Sequence, residues 1–272
     1  MASSWINGVR ADRIGAEDRG LHYGDGLFET ITCIDGRPRW LALHLERLRR
    51  GCQRLQLRWD DFQMLGAEIQ SHTPAEGRCI MKLILTRGPA QQRGYRPSGD
   101  ETPTRILRRY DWPAERAPAP TGFRVAVSSV TLGLNPLLAG LKHLNRLEQV
   151  LAQAAMGAAP LEEVLMLSSA GDVIGGSRSN IFLADETGLF TPSLADCGVE
   201  GIMRQVVCAS AAAHGAPVRV RRVARPELSQ VREAFLTNVR WGVQPIGLLE
   251  GRPLPERQHA RALQEWLDAP HA

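Results

Sequence analysis

Lysine is nearly absent from this chain: of its 33 basic residues only Lys82 and Lys142 are lysine. Chemistry that needs a side-chain amine therefore has two candidates. No apolar stretch approaches the length of a membrane span, and Met1-Ala-Ser-Ser-Trp5 lacks the basic region and apolar run of a secretion signal. A soluble, unexported, cytoplasmic protein is expected. The five cysteines, Cys33, Cys52, Cys79, Cys197 and Cys208, are odd in number and widely spaced, with no C-x-x-C pair. That pattern excludes a disulfide framework and a cysteine metal centre, and reads as buried reduced thiols. Runs of basic residues interleaved with aromatics are also missing, which argues against nucleic-acid binding. The net charge of +4, spread over scattered arginines, suits a small anionic ligand instead.

What is present is enough for a real core, with 43% hydrophobic residues in 272, in one large or two modest domains. Leu27 to Ile34 reads as a strand, Asp35-Gly36 as a turn and Pro38 to Leu43 as a returning strand, followed by a helix from His44 to Leu55 with Leu45, Leu48, Cys52 and Leu55 inward. Cys79 to Leu85 and Thr104 to Leu107 read as further strands, separated by the turn-rich loop Gly88 to Pro97. Asp111 to Thr121 holds three prolines and few bulky apolar residues, which sets the expected division into an N-terminal domain at 1–112, a linker at 113–121 and a C-terminal domain at 122–272. In the second half, strands are expected over Phe123–Val130, Val164–Leu167, Asn180–Ala184, Val218–Val223 and Ala234–Leu236. Helices are expected over Lys142–Ala155, Ile202–His214 and Glu256–Trp266. The alternation of strands and helices makes the fold class α/β (α+β).

Lys142 follows the turn-like Asn135-Pro136 and Gly140, at the expected entry to a helix whose Leu144, Leu147, Leu151 and Ala154 recur at helical spacing. A lysine near other cations and partly desolvated loses its proton more easily and becomes a nucleophile toward aldehydes.

The segment Leu138 to Leu151 resembles the lysine segment of the aminodeoxychorismate lyases, members of the D-amino-acid and branched-chain aminotransferase fold class (fold type IV) that use pyridoxal 5'-phosphate (PLP). The resemblance runs through Ile6-Asn7-Gly8, Asp18-Arg19-Gly20, Tyr23 to Thr30, His44 to Leu48 and Arg93-Gly94-Tyr95, then Ser179 to Phe182, Gly198 to Arg204, and Asn238 ahead of Pro245. It implies two domains, a smaller N-terminal one and a larger C-terminal one carrying the PLP lysine, with the cofactor between them, and a homodimer. The implied reaction converts 4-amino-4-deoxychorismate to 4-aminobenzoate and pyruvate, a step of folate biosynthesis. The alternatives are an aminotransferase of D- or branched-chain amino acids, and a catalytically degenerate binding protein.

Carried over residue by residue, the resemblance makes Lys142 the lysine that bears the cofactor and Arg47 its phosphate partner. A guanidinium fork is chemically apt for that role. The backbone amides of Ile202 and Met203, at a helix start, and Asn238 complete the phosphate cup. Thr30 lies near the reacting face, Arg93 and Tyr95 are substrate-loop residues, and Tyr23 lines the pocket mouth. One position departs from the pattern. Relatives carry a glutamate five residues before the asparagine matched by Asn180, where it keeps the cofactor's ring nitrogen protonated; here that position is Gly175. The acids that stand nearest to it along the chain, Asp172 and Asp185, offer no obvious substitute, and Arg178 would disfavour ring protonation.

Overall fold

The computed structural model describes residues 3–90, 92–114 and 121–268. The chain divides into two units, Met1–Glu115 with Leu141–Asn145, and Arg116–Gly140 with Arg146–Ala272. Residues 115–120, most of the expected linker, lie outside the described residues.

The first unit contains β1 (Ser3–Ile6), β2 (Val9–Arg10), α1 (Arg19–Tyr23), β3 (Gly26–Ile34), β4 (Arg37–Pro38), α2 (Leu41–Leu55), α3 (Phe62–Ser71), β5 (Arg78–Thr86) and β6 (Thr104–Asp111). The strands form an antiparallel six-stranded sheet in the order β2-β1-β6-β5-β3-β4. β3 has the β-branched and aromatic content and the alternation of a half-buried strand. Leu27, Ile31 and Cys33 join Leu48, Cys52, Leu65, Ile69, Met81, Leu83 and Leu107 in its core. The expected strand from Pro38 to Leu43 is cut short: Trp40 takes a left-handed φ of 52° and the chain enters α2 at Leu41. The buried face of α2 is also rotated from the expected leucine stripe. It consists of His44, Arg47, Leu48, Gly51 and Cys52, with Leu45 and Leu55 at its margin. Gly51 permits close approach to β3, since a Cβ there would lie 2.7 Å from Leu27 Cδ1.

The second unit contains β7 (Phe123–Val127), α4 (Leu147–Met156), β8 (Glu163–Leu167), β9 (Val173–Gly176), β10 (Asn180–Asp185), β11 (Gly188–Pro192), α5 (Ile202–Ala213), β12 (Arg219–Arg221), β13 (Glu233–Asn238), β14 (Gly242–Leu249), β15 (Arg252–Pro253) and α6 (Gln258–Asp268). Its nine-stranded sheet runs β12-β11-β10-β13-β14-β7-β8-β9, with β15 on β14. One core gathers Phe123, Val125, Leu165, Ile181, Leu236 and Ile246; a second, under α5 and α6, gathers Phe182, Val207, Phe235 and Leu263.

Two expectations about the lysine segment are corrected. α4 begins only at Leu147, and of its residues Ala152 alone is buried, while Leu147, Val150 and Leu151 are exposed. The residues before it are extended, because His143 bridges Leu27, the Phe28 amide donates to the Lys142 carbonyl (3.0 Å) and the Leu144 amide donates to the Gly26 carbonyl (3.0 Å). Those backbone bonds attach Leu141–Asn145 to the end of β3, and the segment groups with the first unit.

Candidate active site

Lys142 is held by its backbone on the edge of β3, and its Nζ sits 4.3 Å from the centroid of the Phe28 ring. Strand alternation puts Phe28 and Thr30 on one face of β3. Lys82, paired directly with Thr30 across β5, brings its own Nζ to 5.4 Å from the same ring. Both lysines of the chain and Thr30 thus share one partly buried patch around Phe28. A ring face attracts a cation and excludes water from one side of the amine.

The opposite face of β3 carries Glu29, which is fully buried. Glu29 accepts from His44 Nδ1 (2.6 Å) and Arg47 Nε (2.8 Å), and from Arg47 Nη2 in a second, very short bond. Burial alone would raise its carboxyl, but the Arg47 charge and the His44 and Arg47 hydrogen bonds overcome this and hold it at about 2. Burial pushes His44 below the usual imidazole range against the opposing pull of Glu29, and Arg47 and Lys142 add to the lowering. A carboxylate facing Nδ1 fixes the proton there, leaving Nε2 as an acceptor; this buried atom has no hydrogen-bond partner in the structure. The α2 arginines are now distinguishable: Arg47 is buried in this network, whereas Arg49 pairs with Glu46 at the surface.

The substrate-loop residues also fall in the first unit. Tyr23 and Tyr95 meet at 5.4 Å between ring centroids, Tyr95 is otherwise exposed, and Arg93 is exposed beside it.

In the second unit, Gly201 precedes α5 with no side-chain cap, and Ile202 and Met203 are buried at the start of this twelve-residue helix. Its first-turn amides are therefore not satisfied by a capping side chain, the condition for anion binding. Asn180 braces the turn, donating to the Val199 carbonyl (2.9 Å) and accepting from the Gly201 amide (3.1 Å). The Asn238 side chain is used as a turn cap: its oxygen accepts from the amides of Arg240 (3.0 Å) and Trp241 (2.8 Å), and its nitrogen donates to the Arg178 carbonyl (3.4 Å).

Around Gly175 the structure supplies an acid that sequence distance concealed. Glu163, on β8, is fully buried and accepts from Ser177 Oγ (2.5 Å), Ser179 Oγ (3.1 Å) and Gln153 Nε2 (3.3 Å). Strand pairing between β8 and β9 brings it beside the turn that carries Arg178. The Arg178 guanidinium donates to the Glu162 carbonyl (3.1 Å) and lies 4.7 Å from the Trp241 ring centroid. Gly175 does not have a left-handed φ, but a Cβ on it would lie 2.9 Å from the Ser179 carbonyl oxygen. Any side chain at 175 must therefore displace backbone. Gly175→Ala is expected to lower the melting temperature by a few degrees, roughly the effect of 1–3 kcal/mol of overpacking; an unchanged thermal melt would show that the turn accommodates a side chain freely.

Burial pushes the thiols of Cys33 and Cys52 up to about 12 and that of Cys197 to about 11. All five cysteines are free, and Cys208 is half-buried rather than buried as expected. Among the described residues no group of side chains could hold a metal, and no helix is long and apolar enough to cross a membrane.

Glu29, His44, Phe28 and Glu163 were not singled out as site residues from the sequence. Glu29 had a readable signal: an acid at an inward position of an alternating strand must find buried partners.

An amine fixed on a strand edge, a buried arginine and an uncapped helix start are group types that Schiff-base chemistry with a phosphorylated cofactor uses. Residues 26–249 match the amino-transferase class IV family model, and the chain belongs to that family. It is 32% identical to the aminodeoxychorismate lyase of Vibrio harveyi over 243 residues, 89% of each chain. The solved 4-amino-4-deoxychorismate lyase of Pseudomonas aeruginosa superimposes with a TM-score of 0.91 at 40% identity, covering 97% of both chains. A branched-chain aminotransferase from a T.th. strain, solved with pyridoxamine 5'-phosphate, shares the fold with a TM-score of 0.85 at 23% identity over 97% of this chain and 92% of its own.

Proposed function

We infer that this chain is a PLP-dependent lyase that converts 4-amino-4-deoxychorismate to 4-aminobenzoate and pyruvate. The observation that carries the reading is the near full-length similarity to the solved lyase, in a chain whose Lys142 is held rigidly by backbone bonds to β3.

The residues present fit the cofactor. In the first unit Lys142 would hold its aldehyde carbon and the buried Arg47 guanidinium is an anion donor apt for its phosphate; in the second unit the uncapped amides of Ile202 and Met203 are anion donors of the same kind. Asn238 is a weaker member of that cup, because its side chain is committed to the turn. When bound, PLP supplies an electron sink for the bond-breaking step. Lys142 Nζ takes the proton from the amine-bearing carbon of the substrate and returns one to the departing pyruvate. The Thr30 hydroxyl, on the same face, donates to the oxygen of the leaving group. Arg93 offers its cation to a substrate carboxylate, while Tyr95 and Tyr23 supply the ring surface at the mouth.

Arg47→Gln is expected to weaken cofactor retention by about ten- to a hundredfold, the cost of a lost charge-assisted contact, with Arg49→Gln near the parent value. Equilibrium dialysis of the cofactor measures it, and equal losses in the two variants would show that Arg47 is not the anchor.

The purified, cofactor-loaded protein tests the activity. 4-Aminobenzoate and pyruvate should appear in equal amounts from 4-amino-4-deoxychorismate, with little amino transfer from D-alanine or branched-chain amino acids. Faster amino transfer than elimination would overturn the lyase reading in favour of an aminotransferase. The absence of a carboxylate at position 175 favours elimination, because aromatisation of the product supplies driving force that amino transfer lacks.

The exposed Leu137, Leu147, Val150 and Leu151 give the second unit an apolar surface suited to a second copy, consistent with a homodimer. The five free thiols suit a reducing cytoplasm.

A further inference from the structure

The Asp18-Arg19-Gly20 motif has no part in the chemistry above, yet Arg19 is among the most deeply buried arginines described, at 3% exposure. Its guanidinium makes three directed bonds and one stacking contact. Nε donates to Asp25 (2.9 Å), Nη1 to the Gly94 carbonyl (3.1 Å) and Nη2 to the Tyr95 carbonyl (2.7 Å), while Cζ lies 4.9 Å from the Tyr23 ring centroid. Asp25 is itself fixed from the other side by Arg87, whose remaining donors bind the carbonyls of Leu55 and Gln56 at the end of α2. The base of the same loop is pinned by backbone: the Arg19 amide donates to Gly88, and Ala90 donates to Glu17. Arg19 thus ties the tip of an exposed loop to a rigid ion-paired frame.

We propose that Arg19 is a positioning residue for substrate: it clamps Gly94 and Tyr95 against Tyr23 and so fixes the loop that presents the Arg93 cation to a substrate carboxylate. Only a planar fork can serve this geometry. An ammonium on a lysine stem could satisfy Asp25 or one carbonyl, but not both carbonyls while stacking on Tyr23. Gly94, at φ 118°, lets the chain turn its carbonyl inward toward the fork. The identity of the substrate rests on the lyase reading; the clamp does not.

The test uses the cofactor-loaded Arg19→Lys variant and two readouts. Tryptic cleavage after Arg93, followed by mass spectrometry, reports loop release and should accelerate about tenfold or more, the effect of losing one charge-assisted bond. Lyase kinetics should show KM raised about tenfold with kcat within about twofold, the pattern of lost uniform binding. Unchanged cleavage would overturn the clamp; accelerated cleavage with unchanged KM would overturn its service to substrate. If Arg19→Lys fails to fold, Tyr23→Leu keeps the Arg19 ion pairs while removing the ring under Tyr95, and its cleavage after Arg93 should likewise accelerate; parent-like cleavage there overturns the proposal. Absence of lyase turnover in the parent protein would count against the lyase reading alone, since proteolysis reads the clamp without it.

Discussion

Lys142→Ala should stay folded and lose at least about a thousandfold in lyase turnover, because on the proposed reading one side chain both holds the cofactor and moves the proton. Folding survives because the segment is attached by its backbone: the bridge between Leu27 and His143 and the bonds of Phe28 and Leu144 do not involve the amine. The contact of the side chain with the Phe28 ring is worth about 0.5–1 kcal/mol at such a site, small against the backbone bonds that hold the segment. Lys82 shares the ring but is fixed on β5, opposite Thr30, and is not expected to substitute. Borohydride reduction of the parent protein followed by peptide mass spectrometry should place the cofactor on the Lys142 peptide. An adduct on Lys82 would reverse the roles of the two amines.

Glu29→Gln should be strongly destabilising to the first unit. It breaks the buried ion pair with Arg47 and leaves His44 facing an amide, a loss of about 3–5 kcal/mol or roughly 6–15 °C in melting temperature. The pH dependence has a definite sign. The folded carboxyl titrates at about 2, below its ordinary 4.5. Its contribution is therefore full above about pH 4.5 and disappears as pH falls from there toward 2. The parent should lose stability across that window, while the glutamine variant, already lower at pH 7, should fall less steeply. Thermal melts of both proteins between pH 7 and pH 2.5 measure this, and equal melting temperatures at pH 7 would show that the Glu29 network adds nothing to stability. Because Arg47 is held by Glu29, the same variant should also bind the cofactor less tightly.

Much of the fold could be read locally. The alternation from Leu27 to Ile34, the Asp35-Gly36 turn with φ of 45° and 78°, the buried run from Cys79 to Leu85 and the α5 start after Gly201 are short-range patterns, and the structure shows an element at each. The lysine segment misled because its apolar spacing is helical while its first residues are taken by β3. The period of Leu144, Leu147, Leu151 and Ala154 says nothing about a strand edge far earlier in the chain. The α2 face misled for a related reason. Counting leucines placed the inward stripe one step round from His44 and Arg47, because the partner that makes those polar residues buriable, Glu29, lies on another element.

By itself the sequence determined the candidate chemistry of this protein: two lysines in the whole chain, one of them in a motif run with ordered spacing, and a glycine where the family resemblance implies an acid. Tertiary structure alone decided which charges are paired and buried. Partners such as Glu29 with Arg47, Glu163 with Arg178 and the hydroxyls of Ser177 and Ser179, and Arg19 with Asp25 and the loop carbonyls meet through sheet register and loop return, so their energies depend on separations in space and on desolvation that no local pattern of residues encodes.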